Sequence, residues 1–204
     1  MKDKYQNFQQ LLLFEREGHD FRSVLRQANS GCLIIAPHGG GIERGTSELA
    51  NAIAGKDHSL YVFEGIKRTN NRSLHITSTH FDDPELLKLL NVSSAVIAIH
   101  GCDGDEEVAC IGGRDHFMRD QLITRLSAAG IKADMSKDML LQGEDENNIC
   151  NKNETGKGVQ IELSEGLRRT MFVSLTREGR KVTKKPFTLF VKSVSSVIQN
   201  TGKR

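Results

Sequence analysis

"CLIIAPHGGGIERGTSELANAIAG", residues 32–55, opens on an apolar run, turns polar at His38, passes three consecutive glycines and ends in a helix-like segment. The run Cys32–Ala36 has the length and composition of a buried strand. Thr46 or Ser47 is placed to cap a helix over "ELANAIA", and Gly55 to stop it.

Working outward, strand-length apolar runs recur at 60–65 (LYVFEG), 74–81 (LHITSTHF), 95–101 (AVIAIHG) and 158–164 (GVQIELS). Helix-like segments lie between several of them. Asp83 caps "PELLKLL", with Pro84 at its first position. In "DHFMRDQLITRLSAAG", Met118, Leu122 and Leu126 recur every four residues and Gly130 closes the segment. The last helix covers "PFTLFVKSVSSVIQ", with Phe190, Val194 and Val197 on one side. Strands alternating with helices predict an α/β sandwich. Strands apolar nearly throughout predict a sheet covered on both faces. The longest loop expected is the polar stretch 142–158.

A chain of 204 residues with 37% hydrophobic and 26% charged residues suits one domain, 1–204, with a substantial core. The net charge of +2 demands neither nucleic acid nor a membrane surface as partner. The N-terminal apolar run Leu11–Phe14 is too short for a signal-peptide core or a membrane span, so a cytoplasmic location is expected. Four cysteines without CxxC spacing read as reduced thiols.

In open α/β sheets ligands gather beyond the carboxyl ends of strands. His38, His100 and Glu162 stand at or near such ends, and Glu43 follows His38 in the next loop. Two histidines with a carboxylate can hold zinc with one position open, and hydrolysis then needs a second carboxylate as proton acceptor. His38 and Glu43 cannot share a helix face at a spacing of five, so a loop freed by Gly39, Gly40 and Gly41 is expected to bring them onto one ion. A dinucleotide fingerprint fails because Arg44 takes the third glycine's place. "ETGKGV" lacks the residues of a phosphate loop, and no G-x-S-x-G or HExxH is present. His80 is a candidate substrate contact where a strand meets a helix, and Arg72 and Arg168 are candidates for binding carboxylates. His19, His58, His75 and His116 read as ordinary, with His75 inside a strand.

"PHGGGIERGTSEL", "SLHITSTHFDDP", "AVIAIHG" and "GKGVQIELSEGLRR" resemble, in that order, motifs of the poly-γ-glutamate hydrolase family, across roughly residues 32–170. The family is found in Bacillus phages and in bacterial genomes, where some members carry the label of phage-related replication proteins. The resemblance implies an open α/β/α sandwich on a mixed, mostly parallel sheet, similar to carboxypeptidase A. It implies Zn2+ on His38, Glu43 and His100, with Glu162 as the catalytic glutamate. The implied substrate is poly-γ-glutamate or a γ-glutamyl peptide. A zinc hydrolase of another small acyl substrate is one alternative, and a non-catalytic replication-associated or binding protein is another. The second alternative predicts salt-sensitive nucleic-acid affinity, and the near-neutral charge and lack of a basic stripe speak against it.

Overall fold

A computed structural model describes residues 3–136, 138 and 141–201. Its centre is a seven-stranded sheet made of β1 (Phe21–Arg26), β2 (Cys32–Gly40), β3 (Ser59–Gly65), β4 (Ala95–Cys102), β5 (Ala109–Gly112), β6 (Ala133–Met135) and β7 (Val159–Ser164). The spatial order is β1-β3-β2-β4-β7-β5-β6. β2 runs parallel to β3 and β4, β4 to β7, and β5 to β6, while β1 and β5 pair antiparallel with β3 and β7. The mixed, mostly parallel sheet is the one expected.

Alternate residues of the central strands enter two separate cores, as a period of two requires. Ile34, Val62, Ile97, Ile99, Ile161 and Leu163 face one side. There they meet Leu49 and Ile53 of α2 (Thr46–Ala54), Met118, Leu122 and Leu126 of α4 (His116–Ala128), and Phe190, Val194 and Val197 of α6 (Lys185–Thr201). Leu33, Ile35, Tyr61, Phe63, Val96 and Ala98 face the other side. These meet Phe8 and Leu11 of α1 (Phe8–Leu12) and Leu86, Leu89 and Leu90 of α3 (Pro84–Leu90). Asp83 caps α3 by accepting from the Glu85 N–H, and Pro84 opens it, as the sequence predicts.

Several expectations are corrected. Residues 74–81 form no strand: a 3-10 turn at Asn71–Leu74 leads into irregular backbone. Leu74, Ile76 and Phe81 are nonetheless buried in the second core, so the apolar residues serve packing rather than pairing. Strands β1, β5 and β6 carry mixed polar and apolar residues at the sheet margins, and their short sequences give weak periodicity. The helix α5 (Glu165–Met171) follows β7 directly. The N-cap of α2 is Gly45, not Thr46 or Ser47, and the Ser47 hydroxyl instead accepts from the Gly40 N–H at 2.8 Å. Within the polar stretch 142–158, Asn148, Asn151 and Asn153 are buried.

Two of the three glycines after His38 do not free a loop. β2 continues through Gly39 and Gly40, pairing them with Glu64 and Gly65 after a register shift beyond Ala36, and only Gly41 opens the turn. Gly40 alone of the three needs a positive φ, at 65°. All three are there because neighbours press on the backbone. A Cβ at 39 would lie 2.9 Å from the Phe63 carbonyl oxygen and clash with Ser47 Oγ; one at 40 or 41 would lie 2.5 Å from the Gly65 oxygen or Asn71 Nδ2. Gly39→Ala is therefore expected to lower unfolding stability by about 1–3 kcal/mol, the cost of overpacking. Chemical denaturation measures this, and a variant as stable as the parent would show that β2 and β3 can separate cheaply.

Candidate functional site

The parallel strands β2, β4 and β7 end on one edge of the sheet, and their final polar residues meet there. His100 and Glu162 are direct partners across the β4–β7 pairing, so both side chains leave the same face. His38 lies within the register shift of β2, and the Glu43 N–H donates back to its carbonyl at 2.9 Å. That turn returns the Glu43 carboxylate over the strand end. Glu43 Oε2 accepts from the Gly101 N–H at 2.8 Å, which ties the turn to β4.

The side chains converge closely. His38 Nδ1 lies 2.9 Å from Glu43 Oε1 and 3.2 Å from His100 Nδ1, and His100 Nδ1 lies 3.6 Å from Glu43 Oε2. His38 Nε2 stands 2.7 Å from the Ile76 carbonyl, which can only accept. The proton of a neutral His38 is thus on Nε2, and Nδ1 offers its lone pair to the cluster.

A fourth side chain joins them. His75, read from sequence as an ordinary strand residue, lies beside His38 with ring centroids 4.0 Å apart. Its Nδ1 donates to Asp3 Oδ1 at 2.7 Å, and its Nε2 faces Glu43 Oε1 at 3.7 Å. Asp3 also accepts from the Thr77 N–H and hydroxyl at 2.6 and 2.7 Å. No local pattern announces this role, because the partner that orients His75 is 72 residues away.

The electrostatics suit a cation. Burial opposes a charged His38, but Glu43 and the Ile76 carbonyl outweigh it and raise its pKa. Burial likewise works against the Glu43 carboxylate, yet His38 and His100 hold it well below the usual carboxylate range. The neighbouring His38, with burial, drives His75 down to about 4. Burial pushes Glu162 up to about 7, opposed by His100 and reinforced by the charge of Glu43. Ligands 2.0–2.1 Å from a tetrahedral zinc stand about 3.3 Å apart, close to the separations within this cluster. His38 and His75 each anchor their far nitrogen on a carbonyl or carboxylate, the arrangement that orients metal-ligating imidazoles. One donor each from His38, Glu43 and His75 lies within 4.8 Å of the others, and the buried Nε2 of His100 has no partner among the described residues. The donor set therefore fits a divalent metal.

A cleft of about 470 Å³ opens beside Glu43, lined among others by Arg44, Arg68, Arg72 and Arg168. The Arg168 guanidinium is buried and donates to the carbonyls of Leu163, Arg44 and Cys102 at 3.1, 2.8 and 2.8 Å, clasping the ends of β4 and β7 to the Glu43 turn. Gly101 admits it, since a Cβ there would lie 2.7 Å from Arg168 Cζ. Arg72 is half-exposed and paired with Asp103. Arg44 and Arg68 are exposed and have no side-chain partner among the described residues. His80 lies in an exposed turn, and the structure does not bring it into contact with the cluster.

The fold and the sequence both have counterparts among known proteins. YndL of Bacillus subtilis (strain 168) is 40% identical over 183 residues, covering 89% of this chain and 72% of YndL. A solved structure of YndL in a zinc-free form superposes with a TM-score of 0.93 at 37% identity, covering 98% of this chain and 99% of that one. A bacteriophage poly-gamma-glutamate hydrolase superposes with a TM-score of 0.95 at 29% identity, covering 98% of each chain. The poly-gamma-glutamate hydrolase pattern itself matches residues 5–193, so this chain belongs to the poly-gamma-glutamate hydrolase family.

Proposed function

We propose that this protein is a zinc-dependent amidohydrolase that cleaves the γ-glutamyl amide bonds of poly-γ-glutamate, with His38, Glu43 and His100 as metal ligands and Glu162 as the proton-transfer group. The observation that carries the reading is the convergence of His38, Glu43 and His100 at one strand edge with Glu162 paired beside them. Family membership and the zinc-free form recorded for YndL support it. His75 places a further lone-pair nitrogen beside Glu43, 3.7 Å from Oε1. No helix among the described residues is long and apolar enough to cross a membrane.

A bound zinc supplies a Lewis acid for the amide carbonyl and acidifies water toward neutrality. The chain does the rest. Glu162, buried and partnered with His100 across the sheet, takes the proton of the attacking water and returns it to the leaving nitrogen. An amide nitrogen leaves poorly without that proton, so one carboxyl serves as base and then as acid. Glu43 Oε2 is fixed by the Gly101 N–H, and His38 and His75 are fixed through their far nitrogens, so these groups need little rearrangement.

Each γ-linked repeat carries a free α-carboxylate, the group that a guanidinium fork matches. Arg44 and Arg68 have donors free for it among the described residues. The remaining donors of Arg168 add a fixed positive wall, and Arg72 reaches substrate on release from Asp103.

Metal content and polymer length test the catalytic reading together. Glu162→Ala should keep zinc and lose at least a hundredfold of the hydrolysis rate; undiminished chain shortening would refute the role given to Glu162. His38→Ala should lose both metal and activity, and a zinc-loaded, active variant would remove His38 from the ligand set. For the cleft, Arg68→Ala should raise KM on the order of tenfold with kcat little changed, the mark of lost ground-state binding. An unchanged KM in both Arg68→Ala and Arg44→Ala would place the polymer elsewhere.

A further inference from the structure

The hydrogen bonds reaching Glu162 run in one direction only. Gln160 precedes Glu162 by two residues on β7, so both side chains stand on the same face. Gln160 Nε2 donates to Glu162 Oε1 at 3.0 Å and to the Leu141 carbonyl at 3.3 Å. Gln160 Oε1 accepts from Asn148 Nδ2 at 2.9 Å, and Asn148 Oδ1 accepts from the Cys150 N–H at 3.1 Å. Backbone groups set the orientation at both ends. The Cys150 N–H can only donate and the Leu141 carbonyl can only accept, so turning either amide round breaks a bond. Asn148, Gln160 and Glu162 are all buried, and water has little access to substitute for these bonds. Gly143, with φ 62°, presses its backbone on the Gln160 amide: a Cβ there would lie 3.0 Å from Gln160 Cβ and 3.2 Å from Oε1.

We infer that Asn148 and Gln160 form a one-way hydrogen-bond relay that reserves Oε1 of Glu162 as an acceptor, so that the proton exchanged with substrate is carried on Oε2. This rests on the reading of Glu162 as the proton-transfer group. Gln160 is then a positioning residue, and Asn148 acts through it. The long polar segment 142–158 acquires a purpose: its buried asparagines hold the amide that aims the carboxyl. Asn151 belongs to the same structure, donating to the Gly143 and Asp145 carbonyls at 2.7 and 2.9 Å.

The test uses the zinc-loaded full chain and reads kcat, KM, zinc content and thermal melting. Gln160→Met removes the donor while keeping the side chain's length. The expected result is a kcat lowered ten- to a hundredfold, with KM and zinc content within about twofold of the parent. Asn148→Asp keeps the acceptor for the Cys150 N–H but offers Gln160 no donor. It should turn the Gln160 amide round and lower kcat similarly, although Asn148 does not itself bond to Glu162. The double variant should be no slower than Gln160→Met alone, because an amide already removed cannot be misdirected. Unchanged kcat in either folded single variant, or losses that multiply in the double, would overturn the relay. If Gln160→Met does not fold, Asn148→Asp decides by the same kcat criterion. Full hydrolysis by Glu162→Ala would overturn the proton-transfer reading instead; an inactive Glu162→Ala beside fully active relay variants overturns the relay alone.

Discussion

Parallel pairing of β2, β4 and β7 is the constraint on which the rest of the structure depends. Parallel strands carry their carboxyl ends to one edge, so residues far apart in sequence arrive together there without long loops. The register decides what meets. His100 stands opposite Glu162, and a slip of one residue would turn either side chain into the helix-packed core on the other face. The apolar residues that alternate with them make such a slip costly, since Ile97, Ile99 and Ile161 would then face the polar site. Hydrophobic burial on one face thus fixes polar chemistry on the other.

Close approach of backbones completes the site. The Gly39–Gly41 run brings β2 against β3 and the Asn71 side chain so tightly that no Cβ fits. The chain then turns within five residues and presents Glu43 back toward His38. Arg168 closes the assembly, joining both strand ends to the carbonyl of Arg44. A buried guanidinium is costly to desolvate, and three carbonyl acceptors offset that cost. The same residue lines the cleft, so the clasp also contributes positive charge there.

Much of this was legible in the sequence. The apolar strands β2, β3, β4 and β7 declare themselves by composition, α4 by four-residue spacing and α6 by spacings of four and three. His38, Glu43, His100 and Glu162 stand out as a set, because ligands gather beyond the carboxyl ends of strands and two histidines with two carboxylates recur there. The segment 74–81 misleads because its apolar residues fill a core without pairing, and composition does not distinguish the two uses. Strands β1, β5 and β6 are hidden by their short length and partly exposed faces.

The sequence by itself determined which side chains bury and which polar groups end the strands, because periodicity and composition are local properties. Only the tertiary structure decided that His75 joins the cluster through Asp3, that Arg168 clasps three carbonyls, and that the Asn148–Gln160 amides point one way. Each depends on a hydrogen bond between segments whose separation in space no local pattern encodes, and direction in such a bond is set by the partner at its far end.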